Sequence, residues 1–269
     1  DIPQNGYIAE YTRRDKLPQV LDFAFQASVR EVLGKGKGTV VLAQLFDGDV
    51  LYEGGEAAAL NLPTFLGNHD MGRFAWLVQQ DRKGISQEEL LSRTLLAHAM
   101  LMTLRGAPVI YYGDEQGFVG AGGDQLARED MFPSKTAVYN AIDLIGTDAT
   151  TADANFDTAH PLYRLISEMA KLRAAHPALR KGRQVTRHYE QAEGLFAASR
   201  IDDASGEEVL VVFNTAPQPR AANIAIGYDV TGFRRLQGRC PAAVTAPGSA
   251  RFELPAFGWV VCKVGKAAQ

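Results

Sequence analysis

The chain has 269 residues, a formal net charge of −3 and 46 % hydrophobic residues, so it can bury one large or two medium cores. A weakly acidic balance with no basic run predicts no nucleic-acid or polyanion partner. The longest apolar runs fall well short of a membrane span.

The chain opens at Asp1 with no charged-then-apolar leader. Its first residues carry no helix or strand signal before about Leu17, as if the chain starts inside something. Val20 to Phe25 reads as a strand, followed by a helical stretch from about Ala27 to Leu33 that Gly34 closes. Thr39 to Phe46 suits a strand by propensity and a helix by apolar spacing. Asp47-Gly48-Asp49 reads as a loop. Leu62 to Leu66 is a buried apolar run that stops at Asn68-His69-Asp70, so three polar side chains arrive where a buried strand surfaces. In an α/β barrel, strand C-termini are where catalytic residues sit.

Ser86-Gln87-Glu88-Glu89 is a capping box, a hydroxyl with a carboxylate three residues on. It opens a helix through Leu91, Leu95, Ala99 and Met102, with Gly106 as its left-handed stop. Val109 to Tyr112 reads as a second buried strand ending at Gly113-Asp114-Glu115. A glycine-rich loop from Gly117 to Gly123 leads to Asp124 and Arg128. Pro161 to Leu179 is amphipathic, with Leu162, Leu165, Ile166, Met169 and Leu172 on one face. From Gly182 onward only short strand-like runs with turn signals remain: Leu195 to Ala197, Val209 to Phe213, Ala222 to Ile226 and Phe257 to Val264. Strands alternating with helices imply a parallel sheet, and the later rhythm implies an antiparallel one. The predicted domains are therefore 1–182 and 183–269.

Phe65-Leu66-Gly67-Asn68-His69-Asp70 resembles the Phe-x-x-Asn-His-Asp signature of the α-amylase family of glycoside hydrolases, which closes the seventh strand of its (β/α)8 barrel. Gly106-Ala107-Pro108-Val109-Ile110-Tyr111-Tyr112-Gly113-Asp114-Glu115 resembles the family's eighth-strand motif, and Leu21 to Phe25 is similar to its weaker sixth-strand pattern. The resemblance covers nearly the whole chain and implies an α/β plus all-β fold: a partial (β/α)8 TIM barrel (strands six to eight) followed by a small antiparallel β-sandwich. The third-, fourth- and fifth-strand motifs, which carry the nucleophile Asp and the acid/base Glu, are absent. Three strands cannot close a barrel, and open parallel edges promote aggregation. The missing N-terminal half of the barrel is therefore an expected partner, as a separate chain, an upstream segment or a removed piece.

The resemblance implies a retaining hydrolase of α-glucosidic bonds in starch or maltodextrin, with an α-glucan or malto-oligosaccharide as substrate. Asp70 is the implied transition-state stabiliser and His69 a sugar donor. Asn68 and Arg73 complete the candidate substrate-binding set, although Asn68 also suits orienting the loop. Arg73 pairs with a carboxylate of the site or lies in solvent. A transglycosylase or isomerase of the same fold, or a non-catalytic carbohydrate-binding module, are the competing readings. Glu115 suits orienting the rim, Asp124 and Arg128 a loop ion pair, His98 a core or interface histidine, and Trp76 and Trp259 packing. No cofactor is required. A structural Ca2+ at Asp47 and Asp49 would rest on two aspartates flanking a glycine, far short of a coordination shell. Cys240 and Cys262 either form one disulfide or stay as buried thiols; the first slightly favours a periplasmic or secreted protein.

Overall fold

The structure is a computed structural model that describes residues 4–245 and 248–267. Its first part, up to residue 182, is built on three parallel extended segments. The first is a single residue, Asp22, which bridges Thr64. The second, β1 (Pro63–Thr64), pairs with the third, β2 (Ala107–Pro108), with Pro63 opposite Ala107 and Thr64 opposite Pro108. Asp22 N–H donates to Pro63 O at 3.0 Å, Ala107 N–H to Leu62 O at 2.8 Å and Val109 N–H to Thr64 O at 2.7 Å. Among the described residues no strand pairs with the free side of Asp22. Leu21 and Val109 on these open segments stay 49 % and 46 % exposed.

Helices pack around this short sheet: α1 (Gln4–Arg13), α2 (Phe23–Leu33), α3 (Val40–Asp47), α4 (Gly55–Ala59), α5 (Phe74–Asp81), α6 (Gln87–Thr103), α7 (Ala137–Asn140), α8 (Pro161–Ala175) and α9 (Pro177–Lys181). The expected strand over Val20 to Phe25 is thus mostly a helix. The Asp22 carboxylate accepts from Phe25 N–H at 2.9 Å, so this residue ends the extended segment and caps α2 in one step. Thr39 to Phe46 resolves as the helix α3, because Leu42, Ala43, Leu45 and Phe46 all face the core. The turn after it, Gly48–Leu51, is a single 3-10 turn rather than an open loop. Ser86 caps α6 as expected, accepting from Glu89 N–H at 3.1 Å. Val109 to Tyr112 leaves the sheet after one ladder bond, because β1 offers no further partner. The helix expected over Pro161 to Leu179 breaks at His176, since Pro177 has no N–H to continue it.

The remaining strands are β3 (Arg183–His188), β4 (Leu195–Asp202), β5 (Glu207–Asn214), β6 (Arg220–Ala225), β7 (Val230–Gln237), β8 (Ser249–Leu254) and β9 (Trp259–Lys266). They form an antiparallel sheet in the order β3-β4-β5-β9-β7 and a second pair, β6-β8. Strands β3 and β7 carry weaker apolar alternation than their neighbours, whereas β8 alternates cleanly as Ala250, Phe252 and Leu254 turn inward; the sequence reading passes over all three.

Alternation along β4 and β5 divides the larger sheet between two cores. Leu195, Ala197, Leu210 and Val212 point at Ile224, Phe252 and Leu254 of the smaller sheet. Phe196, Ala198, Val209, Val211 and Phe213 point the other way, into the core shared with α2, α3 and α6. The sheet is thus buried on both faces. Cys240 and Cys262 form a disulfide between the segment after β7 and strand β9. Among the described residues no helix is long and apolar enough to cross a membrane.

One buried arginine, Arg200, locks the seam between the parts, and the half-buried Arg173 lies beside it within the first part. Arg200 on β4 donates to Thr103 O at 2.9 Å and Gly182 O at 3.0 Å. Arg173 on α8 donates to Met102 O at 3.3 Å, Leu179 O at 2.5 Å and Gly106 O at 2.6 Å. Together they meet carbonyls at the C-terminal end of α6, where the helix's own donors run out and its dipole is negative. Burial pushes the Arg200 guanidinium down to about 9, with Arg173 and Arg105 adding to the effect.

Candidate functional site

The end of β1 runs through the buried Phe65 and Leu66 into a tight turn. Asn68 and Gly72 close it by exchanging backbone bonds, Asn68 N–H to Gly72 O at 3.2 Å and Gly72 N–H to Asn68 O at 3.1 Å. The Asn68 side-chain oxygen fills the turn, accepting from Asp70 N–H and Met71 N–H, each at 2.9 Å. This is an Asx-type brace. Gly72 has φ +99°, and a Cβ there would meet Gly122 O and the Trp76 ring, each at 3.1 Å. Glycine is needed because the glycine-rich loop after β2 lies directly on the turn.

That braced turn holds His69 and Asp70 outward, their side chains 56 % and 73 % exposed, with His69 Nε2 3.3 Å from Asp70 Oδ1. Arg128 Nη2 approaches Asp70 Oδ1 at 3.6 Å and pairs with Asp124 at 2.8 Å. Asp124 N–H donates to Asp70 O at 3.1 Å. The Asp124–Arg128 ion pair expected in the loop is therefore present, and it reaches the turn.

Arg73 stands elsewhere than a sugar contact requires. Its side chain is fully buried at the start of α5. Nε bonds Glu129 Oε2 at 2.9 Å, while Nη1 bonds Asp114 Oδ1 at 3.0 Å and Tyr112 O at 2.8 Å. The rings of Tyr111, Tyr112 and Phe118 lie 4.6, 5.3 and 5.1 Å from its guanidinium carbon. Burial alone would lower its pKa, but the two carboxylates hold it above the ordinary value. The carboxylate pairing expected for Arg73 is present, and its side chain is closed to solvent. Glu115 turns back on its own loop, accepting from Gly113 N–H at 2.9 Å. Tyr111 O–H donates to Ala127 O at 2.9 Å, and burial raises its pKa. Tyr112 is left partly exposed on the same loop.

His98 is buried, Nδ1 2.9 Å from Thr94 O and Nε2 3.7 Å from Asp114 Oδ2. The proposed Ca2+ pair is not available as one. Asp49 is buried against Arg105, with Oδ2 2.7 Å from Nε and Oδ1 2.6 Å from Nη2, and Arg105 Nη1 also bonds Asp22. Among the described residues no group of three or more His, Cys, Asp or Glu is placed to hold a metal ion. Sequence reading did not single out Glu129 or Arg105. Neither lies in a recognisable motif, and both find their partners far along the chain.

The family model for the α-amylase catalytic domain matches residues 3–182. The chain belongs to the α-amylase family. An α-amylase of Streptomyces lividans is 45 % identical over 230 residues, covering 86 % of this chain and 25 % of the relative. A cyclomaltodextrin glucanotransferase of Bacillus sp. (strain 1-1) is 29 % identical over 225 residues, covering 80 % of this chain and 26 % of the relative. The crystal structure of an Anoxybacillus α-amylase superposes with a TM-score of 0.72 at 20 % identity, covering 99 % of this chain and 51 % of that one. This chain thus spans about a quarter of the length of those curated relatives.

Proposed function

We propose that this chain carries the last three strands of the catalytic barrel and the following β-sandwich of an enzyme that cleaves α-glucosidic bonds in starch-type glucans with retention. The observation that carries the reading is the Asn68–Gly72 turn, which presents His69 and Asp70 side by side at the end of a parallel segment. Retaining glycoside cleavage uses one carboxylate as nucleophile and one carboxyl as acid/base across an oxocarbenium-like transition state. In this reading both of those groups come from outside the chain. Asp70 contributes fixed negative charge and accepts hydrogen bonds from sugar hydroxyls as the ring flattens, so its contribution is largest in the transition state. His69 donates to the same sugar. Asn68 acts through the backbone it braces. The segments Asp22, β1 and β2 are the sixth to eighth strands of the barrel, and residues 183–269 are the family's β-sandwich. The rest of the barrel covers the open side of Asp22, where Leu21 is exposed. This chain alone is inactive.

Two experiments test the reading. Full-length protein should release reducing sugar from soluble starch, and the Asp70→Asn variant should lose turnover while keeping its thermal transition. An equally active, folded variant refutes the role. The similarity to a glucanotransferase supports transfer as a second reading. Product analysis separates the two, since hydrolysis yields new reducing ends and transfer redistributes chain lengths. Retained maltotriose affinity with no turnover by the wild type would mark a binding module instead.

A further inference from the structure

Asp70 has little of its own to hold it. Its carboxylate is largely in solvent, and the side chains nearest to it, His69 at 3.3 Å and Arg128 at 3.6 Å, are themselves exposed. Where this carboxylate points is therefore set by the backbone of the turn. The turn has two fixed points: the Asn68 brace on the inside and Arg73, next in sequence to Gly72, at its exit. We propose that Arg73 is a positioning residue for Asp70 and His69, clamping the exit of the turn to the loop after β2. This inference rests on the glucan-cleaving reading above for its kinetic consequence.

Four features support it. The guanidinium uses two faces at once, Nε on Glu129 and Nη1 on Asp114 and Tyr112 O. Those partners lie on the segment that follows β2, so the clamp joins the ends of two neighbouring parallel segments. Aromatic rings wall the guanidinium, restricting its rotation. Finally, an arginine with two carboxylates is an expensive way to fill a buried space. Apolar residues of the same volume commonly do as well or better for stability. What an ion trio supplies and a methionine does not is a fixed direction, because a planar fork meets carboxylates in one geometry. A lysine keeps the charge and loses the fork, so it cannot serve Glu129, Asp114 and Tyr112 O together.

The experiment compares Arg73→Lys and Glu129→Gln with wild type in the full-length protein, using a chromogenic malto-oligosaccharide. It reads kcat, KM, the melting temperature and amide hydrogen exchange at residues 69–72. The expected result for Arg73→Lys is a kcat lower by about 10- to 100-fold with KM within about 3-fold, since small misplacement of a catalytic group costs on that scale. Amides of the turn should exchange at least about 10-fold faster. Glu129→Gln should show the same pattern more weakly, and it carries the test if Arg73→Lys does not fold. A lower melting temperature with unchanged kcat and unchanged exchange makes Arg73 merely structural and overturns the proposal. A raised KM at constant kcat also overturns it, by making Arg73 a binding residue. A wild type inactive on glucans refutes the functional reading alone; exchange at residues 69–72 then decides the clamp, faster in the variants for it and unchanged against it.

Discussion

The two parts of this chain are ordered by different means. In the first, strand pairing among the described residues is minimal: the Asp22–Thr64 and Asn68–Gly72 bridges and a two-residue parallel ladder, with apolar Leu21 and Val109 exposed beside it. Its geometry comes from helix packing and from buried arginines that reach across it, Arg73 to Asp114 and Glu129 and Arg105 to Asp22 and Asp49. In the second part the ladders of β4, β5 and β9 run for most of their length, and side chains alternate into two apolar cores. Parallel segments with so few ladder bonds gain little from main-chain pairing, and long-range ion pairs supply cross-links in their place. These antiparallel strands find their partners within the chain. Residue 182 thus marks a change of architecture, while β4 and β5 send side chains both into the core around α2, α3 and α6 and into the core between the two sheets.

The largest expected effect isolates chemistry from architecture. Asp70→Asn in the full-length protein should lower kcat by about 10²- to 10³-fold, the scale of losing one group that stabilises transition-state charge. Its melting temperature should stay within about 2 °C of wild type, because the exposed carboxylate supports no packing. A variant that unfolds early would mean the turn depends on Asp70, contrary to the Asn68 brace.

The seam is tested next. Arg200→Met leaves two buried carbonyls, Thr103 O and Gly182 O, without their donor, at about 1–3 kcal/mol each. Denaturant unfolding should show a loss of roughly 4 kcal/mol. Arg183→Ala, which removes an exposed pair with Asp203, should cost no more than about 1 kcal/mol. Equal costs would show that the two parts are not locked through Arg200.

Cys240→Ser with Cys262→Ser opens a bridge between residues 22 apart, worth about 3 kcal/mol by loop-closure entropy. If the parts share a core, tryptophan signals from Trp76 and Trp259 should shift together. Separate transitions would restore the boundary at 182 as a true domain division.

The smallest effect is acid sensitivity. Burial would raise the Glu208 carboxyl, but bonds from Lys266 and Ser199 and the charge of Arg187 hold it below its ordinary value. Glu207 is likewise lowered, by His176 and Lys263 against its burial. A carboxylate with a lowered folded pKa adds stability that is complete above its unfolded value, about 4.3, and is lost as pH falls through the folded value. Stability should therefore drop below about pH 4.5. Glu208→Gln should flatten that drop while lowering stability at pH 7 by about 1–3 kcal/mol. An unchanged slope between pH 5 and 3 would remove Glu208 from the account.

Local signals were legible where local chemistry decides. The Ser86 cap and the periodicity behind it define α6, and the start of α8 at Pro161 follows from its amphipathic pattern, whereas that pattern reads through the break at His176–Pro177 as one helix. Misreadings arose where a partner far along the chain decides. Val20 to Phe25 has strand composition, yet Asp22 caps a helix because only one neighbouring segment offers it pairing. Val109 to Tyr112 has a strand's apolar run, yet β1 is too short to hold it. At the site, the outward pair His69 and Asp70 follows from the motif. The burial of Arg73 does not, because it depends on Asp114 and Glu129, 41 and 56 positions away.

The C-terminal end of α6 has one more consequence. The buried Arg200 meets carbonyl oxygens there, whereas an exposed arginine such as Arg183 meets a carboxylate. Dissolved ions screen charge pairs that solvent can enter, and they have little access to a guanidinium sealed against a helix end. The Arg200 contact is in that sense salt-blind: raising ionic strength loosens ion pairs that solvent reaches, those across the seam such as Arg82–Glu193 included, and leaves this buried contact as it was.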